Sequence, residues 1–335
     1  MIKRMNTFLV VLLVLADYHA LAFERGEAEF NFKVIDEKGV PVADALMHGG
    51  AWWPPKALET DPARKLKTFR VTTDTNGCAT VRLAVYSDLN FVVKKEGFYE
   101  TLETYDLGLS DLHKMTLDRQ LERWQPWPAK KTVVLKHIRK PVPMYSKNVL
   151  TILPEQGKPI GYDLMKGDWV APYGLGIISD LVINVTGVVS NIQTRYGAYR
   201  EYDLQMRVTF SNSGDGIVTN SVPVHNESYQ GSLLVTDHET PADGYQAEYF
   251  FVKRKRFRRD ENINVEPRRS QIAYFRVRSE RDGTGRLKRA YYGSMLGDLR
   301  ADIEIDGRVS VSFSYAINPD GTRNVERAKG VNLLR

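Results

Sequence analysis

One cysteine, Cys78, occurs in 335 residues, so no internal disulfide can form and no lipid-attachment cysteine follows the N-terminal apolar run. Apolar cores alone must therefore hold the chain together. The six histidines fall in no HExxH or HxH spacing, and His225 and His238 have no cysteine partner nearby, which removes the common zinc patterns. No G-x-S-x-G elbow supplies a serine nucleophile, and no glycine-rich phosphate loop of either common type is present. The segment Asp302-Ile303-Glu304-Ile305-Asp306-Gly307 opens like a calcium loop, but its twelfth position would be Phe313 rather than a bidentate glutamate. It reads instead as an outward-charged strand turning at Asp306-Gly307. No window carries apolar residues at helical spacing long enough to predict a helix. These absences leave no cofactor and no metal to expect.

With 42% hydrophobic and 26% charged residues, the chain has the composition of a globular protein and the length for two domains. Its first 22 residues are set apart: Lys3 and Arg4 precede the apolar run Phe8 to Ala16, a polar break, and Ala20-Leu21-Ala22. That anatomy predicts a secretory signal peptide cleaved near Ala22. The run is about half of the roughly 20 residues a bilayer requires, and nothing longer follows. The expected mature protein is exported, to the periplasm, the medium or the cell surface, without a transmembrane segment.

Residues 23–139 read as a β-sandwich. Phe30, Phe32 and Val34 alternate with Glu29, Asn31 and Lys33, as do Val81, Leu83 and Val85 with their neighbours. Asp36, Gly39, Pro41, Val42 and Ala45 spell D-x-x-G-x-P-V-x-x-A; Thr73, Asp74 and Gly77 spell T-D-x-x-G; Lys95, Gly97 and Phe98 spell K-x-G-[FY]. On these positions the segment from Phe32 to Tyr99 resembles the carboxypeptidase regulatory-like module. The resemblance implies a transthyretin-like Greek-key sandwich serving as a non-catalytic domain of secreted and surface proteins. It lapses in the insertion between Met47 and Phe69, and again around Trp124 to Pro128. Cys78 reads as a small buried side chain.

Lys140-Pro141-Val142-Pro143 interrupts regular structure and marks the boundary to residues 140–335. There Leu204, Met206, Val208 and Phe210 alternate with polar residues, and Val309, Val311, Phe313, Tyr315 and Ile317 with small ones. The spacing predicts a larger antiparallel β-sandwich or jelly-roll-like domain, so the chain as a whole is expected to be all-β. Ser211 to Gly216 reads as a tight hairpin loop.

Two groups of residues are candidates for binding. Lys253, Arg254, Lys255, Arg256, Arg258 and Arg259 put six cations into seven residues, with Arg268-Arg269 beyond; such a run suits a polyanion, or else forms a solvated hairpin end that discourages edge pairing. Trp52, Trp53, Trp124 and Trp127 lie in proline-containing connections, where indoles either stack on sugar rings or cap the sandwich. Trp169 and Tyr173 pose the same question. Together these predict a non-catalytic envelope or surface protein binding an acidic polysaccharide or another envelope component; export makes nucleic acid an unexpected ligand. The alternatives are a glycan-active enzyme, for which Asp168, Asp180 and Glu201 are candidate carboxylates, and a structural part of a surface assembly.

Overall fold

The computed structural model describes residues 26–53, 65–85, 88–107, 115–195, 197–220, 231–256, 259–263, 272–297, 299–304 and 306–334. The expected signal peptide, the prolines after Trp53, Arg258 and Arg268-Arg269 lie outside them. The regular elements among the described residues are all strands, so the all-β expectation holds. None is a helix long and apolar enough to cross a membrane.

In chain order the strands are β1 (Gly26–Asp36), β2 (Leu46–Trp53), β3 (Lys65–Thr72), β4 (Cys78–Val85), β5 (Leu89–Lys94), β6 (Thr101–Tyr105), β7 (Thr116–Asp118), β8 (Arg123–Gln125) and β9 (Ala129–Leu135). They continue as β10 (Val142–Ile152), β11 (Ile160–Asp163), β12 (Asp168–Trp169), β13 (Leu181–Thr194), β14 (Gly197–Thr209), β15 (Gly216–Asn220) and β16 (Gly231–Ser232). The last are β17 (Glu248–Arg256), β18 (Arg259–Ile263), β19 (Ile272–Arg281), β20 (Leu287–Leu296), β21 (Arg300–Ile303), β22 (Val309–Asn318) and β23 (Arg327–Asn332).

The chain forms two compact units. One runs to Ile138 and also takes Gly231 to Leu233 from later in the sequence; the other begins at Arg139. In the first, the sheet β4-β1-β8-β7, with β9 parallel to β1, faces the sheet β16-β6-β5-β2-β3. Phe30, Phe32 and Val34 point inward from β1 because a strand turns alternate side chains to one face. Across the core, Phe32 meets Phe91 at 4.9 Å between ring centroids and Phe30 meets Tyr105 at 5.1 Å.

The turn residues have identifiable work. Asp36 accepts the amides of Lys38 and Val40 at 2.8 Å each. Buried Thr73 donates its hydroxyl to the Val42 carbonyl at 2.7 Å and accepts the Ala45 amide at 2.9 Å. Asp74 accepts the amides of Asn76 and Cys78, and Gly77 between them sits at φ 71°, where a Cβ would come within 2.3 Å of the Val34 carbonyl. Cys78, expected to be buried, is exposed, because the strand starts with its side chain on the outer face.

In the second unit the sheet β15-β19-β20-β22-β10-β23, with β21 on β22, packs against β12-β11-β13-β14-β17-β18. Its pairings are antiparallel apart from β10 with β23. Val185, Leu204, Met206 and Phe251 from one sheet meet Phe275, Val311 and Phe313 from the other in a single core. The segment Ser211 to Gly216 is not the expected hairpin: β14 and β15 belong to different sheets, so it carries the chain across the sandwich. Asp215 within it is buried and accepts the amides of Arg278 and Ser279 at 2.8 Å.

Arg278, at a bulge of β19 with φ 54°, closes one part of this sandwich. Its guanidinium forks onto Asp180 through two 2.7 Å bonds and reaches Asp163 at 2.8 Å. Asp163 also accepts four amides, those of Met165, Lys166, Ile177 and Ile178, at 3.0 Å each. Burial acts to raise the Asp163 carboxyl, but these amides and the guanidinium outweigh it and hold it below the ordinary aspartate value. Asp180 receives one amide beside Arg278, and there burial prevails and raises the carboxyl. Asp180 is therefore a structural ion-pair partner. Arg278→Ala should destabilise the protein by about 3–5 kcal/mol in urea unfolding, because it strands two buried carboxylates; a change below about 1 kcal/mol would contradict this role.

Candidate functional site: a basic groove in the second unit

Period-two geometry splits the basic run into two environments. On β17, Tyr249 and Phe251 enter the core, and Lys253 and Lys255 share their parity. On β14, Met206 and Leu204 lead in the same way to Tyr202 and Arg200, and register pairs Leu204 with Lys253 and Tyr202 with Lys255. Where the apolar residues give out, Arg200, Tyr202, Lys253 and Lys255 line a groove of about 560 Å³ with Tyr199, Arg300, Asp302, Glu304, Ser310 and Ser312.

Within the groove Lys253 Nζ lies 2.5 Å from Asp302 Oδ2, and the Tyr202 hydroxyl donates to Asp302 Oδ1 at 2.8 Å. Burial acts to raise the Asp302 carboxyl, but these two donors outweigh it and hold it low. The lysine ammoniums also stand over aromatic rings: Lys253 is 5.7 Å from the Tyr202 centroid and Lys255 is 5.8 Å from that of Tyr199. Arg200 and Arg300 differ from the lysines in their partners. Arg200 donates to the Glu304 carbonyl at 2.7 Å and to Asn191 Oδ1 at 3.4 Å, and Arg300 donates to Ser312 Oγ at 3.0 Å. Neutral acceptors leave both guanidinium charges in place. The groove thus combines two arginine charges, the Tyr199 ring and two serine hydroxyls, with the acids Asp302 and Glu304 also on its lining.

Two further cations of the run face elsewhere. Arg254 and Arg256 reach Asp203, at 2.9 and 3.7 Å, and Arg256 also donates to the Tyr202 carbonyl at 3.0 Å. Arg259 opens β18 opposite Arg256, which fits the hairpin-end reading of the run. Asp302, expected to point outward, is instead the clasp of the groove. Arg200, Arg300, Tyr199 and Tyr202 were not singled out from sequence. The available signal was the parity of β14, whose inward face changes from apolar to Tyr and Arg at Tyr202.

The tryptophans divide as well. Trp124 is 6% exposed and donates its indole N–H to the Val85 carbonyl at 3.0 Å, so it is a core residue and not a stacking surface. Trp127 is half-buried, with the guanidinium carbons of Arg82 and Arg123 at 5.3 and 4.8 Å from its ring centroid. Trp52 and Trp53 end β2, paired with Leu66 and Lys65; their side chains lie outside the described residues. Trp169 is buried and Tyr173 exposed. No group of three or more His, Cys, Asp or Glu among the described residues is arranged to hold a metal ion.

No protein-family model matches the chain. No curated protein matches it either. Among solved structures, 3-chlorocatechol 1,2-dioxygenase from Rhodococcus opacus 1CP is 15% identical over 34% of this chain and 60% of its own, with a TM-score of 0.26. Catechol 1,2-dioxygenase from Acinetobacter radioresistens is 9% identical over 34% of this chain and 53% of its own, with a TM-score of 0.24. The chain thus spans less than two thirds of either dioxygenase. BcpA, the major pilin subunit of Bacillus cereus, is 11% identical over 88% of this chain and 97% of its own, with a TM-score of 0.22. Similarities this low assign neither family nor activity.

The Asp302 clasp has a pH signature. Its carboxyl binds protons less readily folded than unfolded, so its contribution is complete above the ordinary aspartate range and fades as pH falls through the lower folded value. The difference in urea stability between the wild type and Asp302→Asn should therefore be present at neutral pH and shrink as pH falls below the ordinary aspartate range. A difference that persists unchanged in acid would contradict the clasp.

Proposed function

We propose that this chain is an exported binding protein whose second unit holds an acidic envelope polymer, an acidic polysaccharide first, in the groove between Arg200, Lys255 and Arg300. The observation that carries this reading is the pairing of Arg200 and Arg300, among the described residues, with neutral acceptors, beside the half-buried ring of Tyr199. Guanidinium groups form charge-assisted, bidentate hydrogen bonds with carboxylate or sulfate, and flat aromatic faces suit the apolar faces of pyranose rings. Ser310 and Ser312 add hydroxyls that both donate and accept. The first unit we read as a carboxypeptidase regulatory-like module that carries no chemistry. In support, Asp36, Thr73, Asp74 and Gly77 of its signatures serve turns and loop closure. The reading of export with cleavage near Ala22 is supported by Lys3 and Arg4, the apolar run Phe8 to Ala16 and Ala20-Leu21-Ala22.

Arg200→Gln with Arg300→Gln should weaken binding to a polyuronate at least tenfold, and leave retention on a neutral glucan unchanged. Arg254→Gln should change polyuronate binding less than threefold, since its guanidinium already serves Asp203. Affinity electrophoresis with soluble polymers measures both. Equal migration of the double variant and the wild type in the polyuronate gel would overturn the proposal.

A further inference from the structure

From Val170 to Ser179 the second unit runs ten residues without a charge, Val-Ala-Pro-Tyr-Gly-Leu-Gly-Ile-Ile-Ser. This segment leaves β12 and returns before β13, and its aliphatic side chains face solvent. Leu175 is 84% exposed, the highest value for a large hydrophobic residue among those described, and Ile177 and Ile178 are 72% and 42% exposed. Ala171, Pro172 and Tyr173 are exposed beside them. Exposed apolar residues scattered singly need no explanation, whereas a continuous apolar tip does.

The backbone of this tip is fixed from beneath. The Leu175 amide donates to Asp168 at 2.8 Å, the Gly176 amide to the Trp169 carbonyl at 2.8 Å, and the Ile177 and Ile178 amides to buried Asp163 at 3.0 Å. The Tyr173 hydroxyl is tied to Glu155 at 2.7 Å. Gly174 and Gly176 permit this closeness, because a Cβ would come within 2.5 Å of the Trp169 carbonyl at the first and 2.8 Å of the Asp168 carbonyl at the second. The amides of Leu175, Gly176, Ile177 and Ile178, beneath the outermost side chains, are thus satisfied, which lowers the ordering and desolvation cost of inserting them into an apolar medium.

Size and composition decide the occupant. Three aliphatic side chains offer on the order of 300 Å², well short of the roughly 800 Å² per partner of a standard protein interface. Protein hot spots are built from Trp, Tyr and Arg, and Leu is under-represented there, whereas the outermost side chains of this tip are Leu and Ile. Aliphatic side chains of this kind partition readily into hydrocarbon, and Tyr173 at the base is a residue type favoured at the lipid–water boundary. We propose that the 170–178 loop is a lipid-inserting tip, which holds the protein reversibly on a phospholipid bilayer by burying Leu175, Ile177 and Ile178 below the headgroups.

Flotation of the full chain with phosphatidylcholine vesicles, and with vesicles that also contain phosphatidylglycerol, tests this at high salt, where contacts through the basic groove are screened. The wild type should float with both. Leu175→Ser with Ile177→Ser should cut the bound fraction at least tenfold, with an unchanged urea midpoint because both side chains are exposed. Leu175→Trp should raise it. Arg200→Gln with Arg300→Gln should float like the wild type at high salt, so failure of the tip and failure of the groove give different patterns. Absence of the wild type from the floated fraction, or equal flotation of the serine variant, would overturn the proposal. So would wild-type self-association on sizing that the serine variant abolishes, which would assign the tip to a second copy of the chain.

Discussion

Arg278 and its two carboxylates impose the constraint around which the second unit is arranged. Three charges taken from water carry a penalty that only near-complete hydrogen bonding can offset. Here the guanidinium fork serves Asp180 and Asp163, and Asp163 takes four amides. The backbone accommodates this: Arg278 adopts φ 54°, and its amide and that of Ser279 both donate to Asp215. One network therefore joins the β19 bulge, the end of β11, the approach to β13 and the crossing between β14 and β15. The Ile177 and Ile178 amides that pin the apolar loop belong to the same set of acceptors.

Cations elsewhere in this unit are distributed by strand parity. Six adjacent basic residues would repel one another if they shared a surface. Alternation on β17 sends Lys253 to Asp302 and Arg254 to Asp203, so much of the run is compensated inside the fold. The groove's uncompensated charges come instead from Arg200 and Arg300, on β14 and β21, which among the described residues are received by carbonyl, amide and hydroxyl oxygens. A ligand carboxylate would meet charge there without first displacing a protein acid. The apolar loop draws on the opposite physics, since burying aliphatic surface is insensitive to the salt that screens the groove.

The alternation of Phe30, Phe32 and Val34, and the turns at Asp36-Gly39 and Asp74-Gly77, were legible in the sequence because period, turn chemistry and glycine geometry act within a few residues. The same local rules determined that the chain is all-β and that its basic run lies at a hairpin. Three-dimensional packing decided the rest. Trp124 and Trp127 stand three residues apart, on β8 and just after it, yet one is sealed in the core and the other lies under two arginines. Arg278 meets Asp163 across 115 residues and Arg200 meets Glu304 across 104, and no sequence period encodes either contact. Strand patterning is a property of neighbours along the chain, whereas a site is assembled from the ends of strands that only the folded sheets bring together.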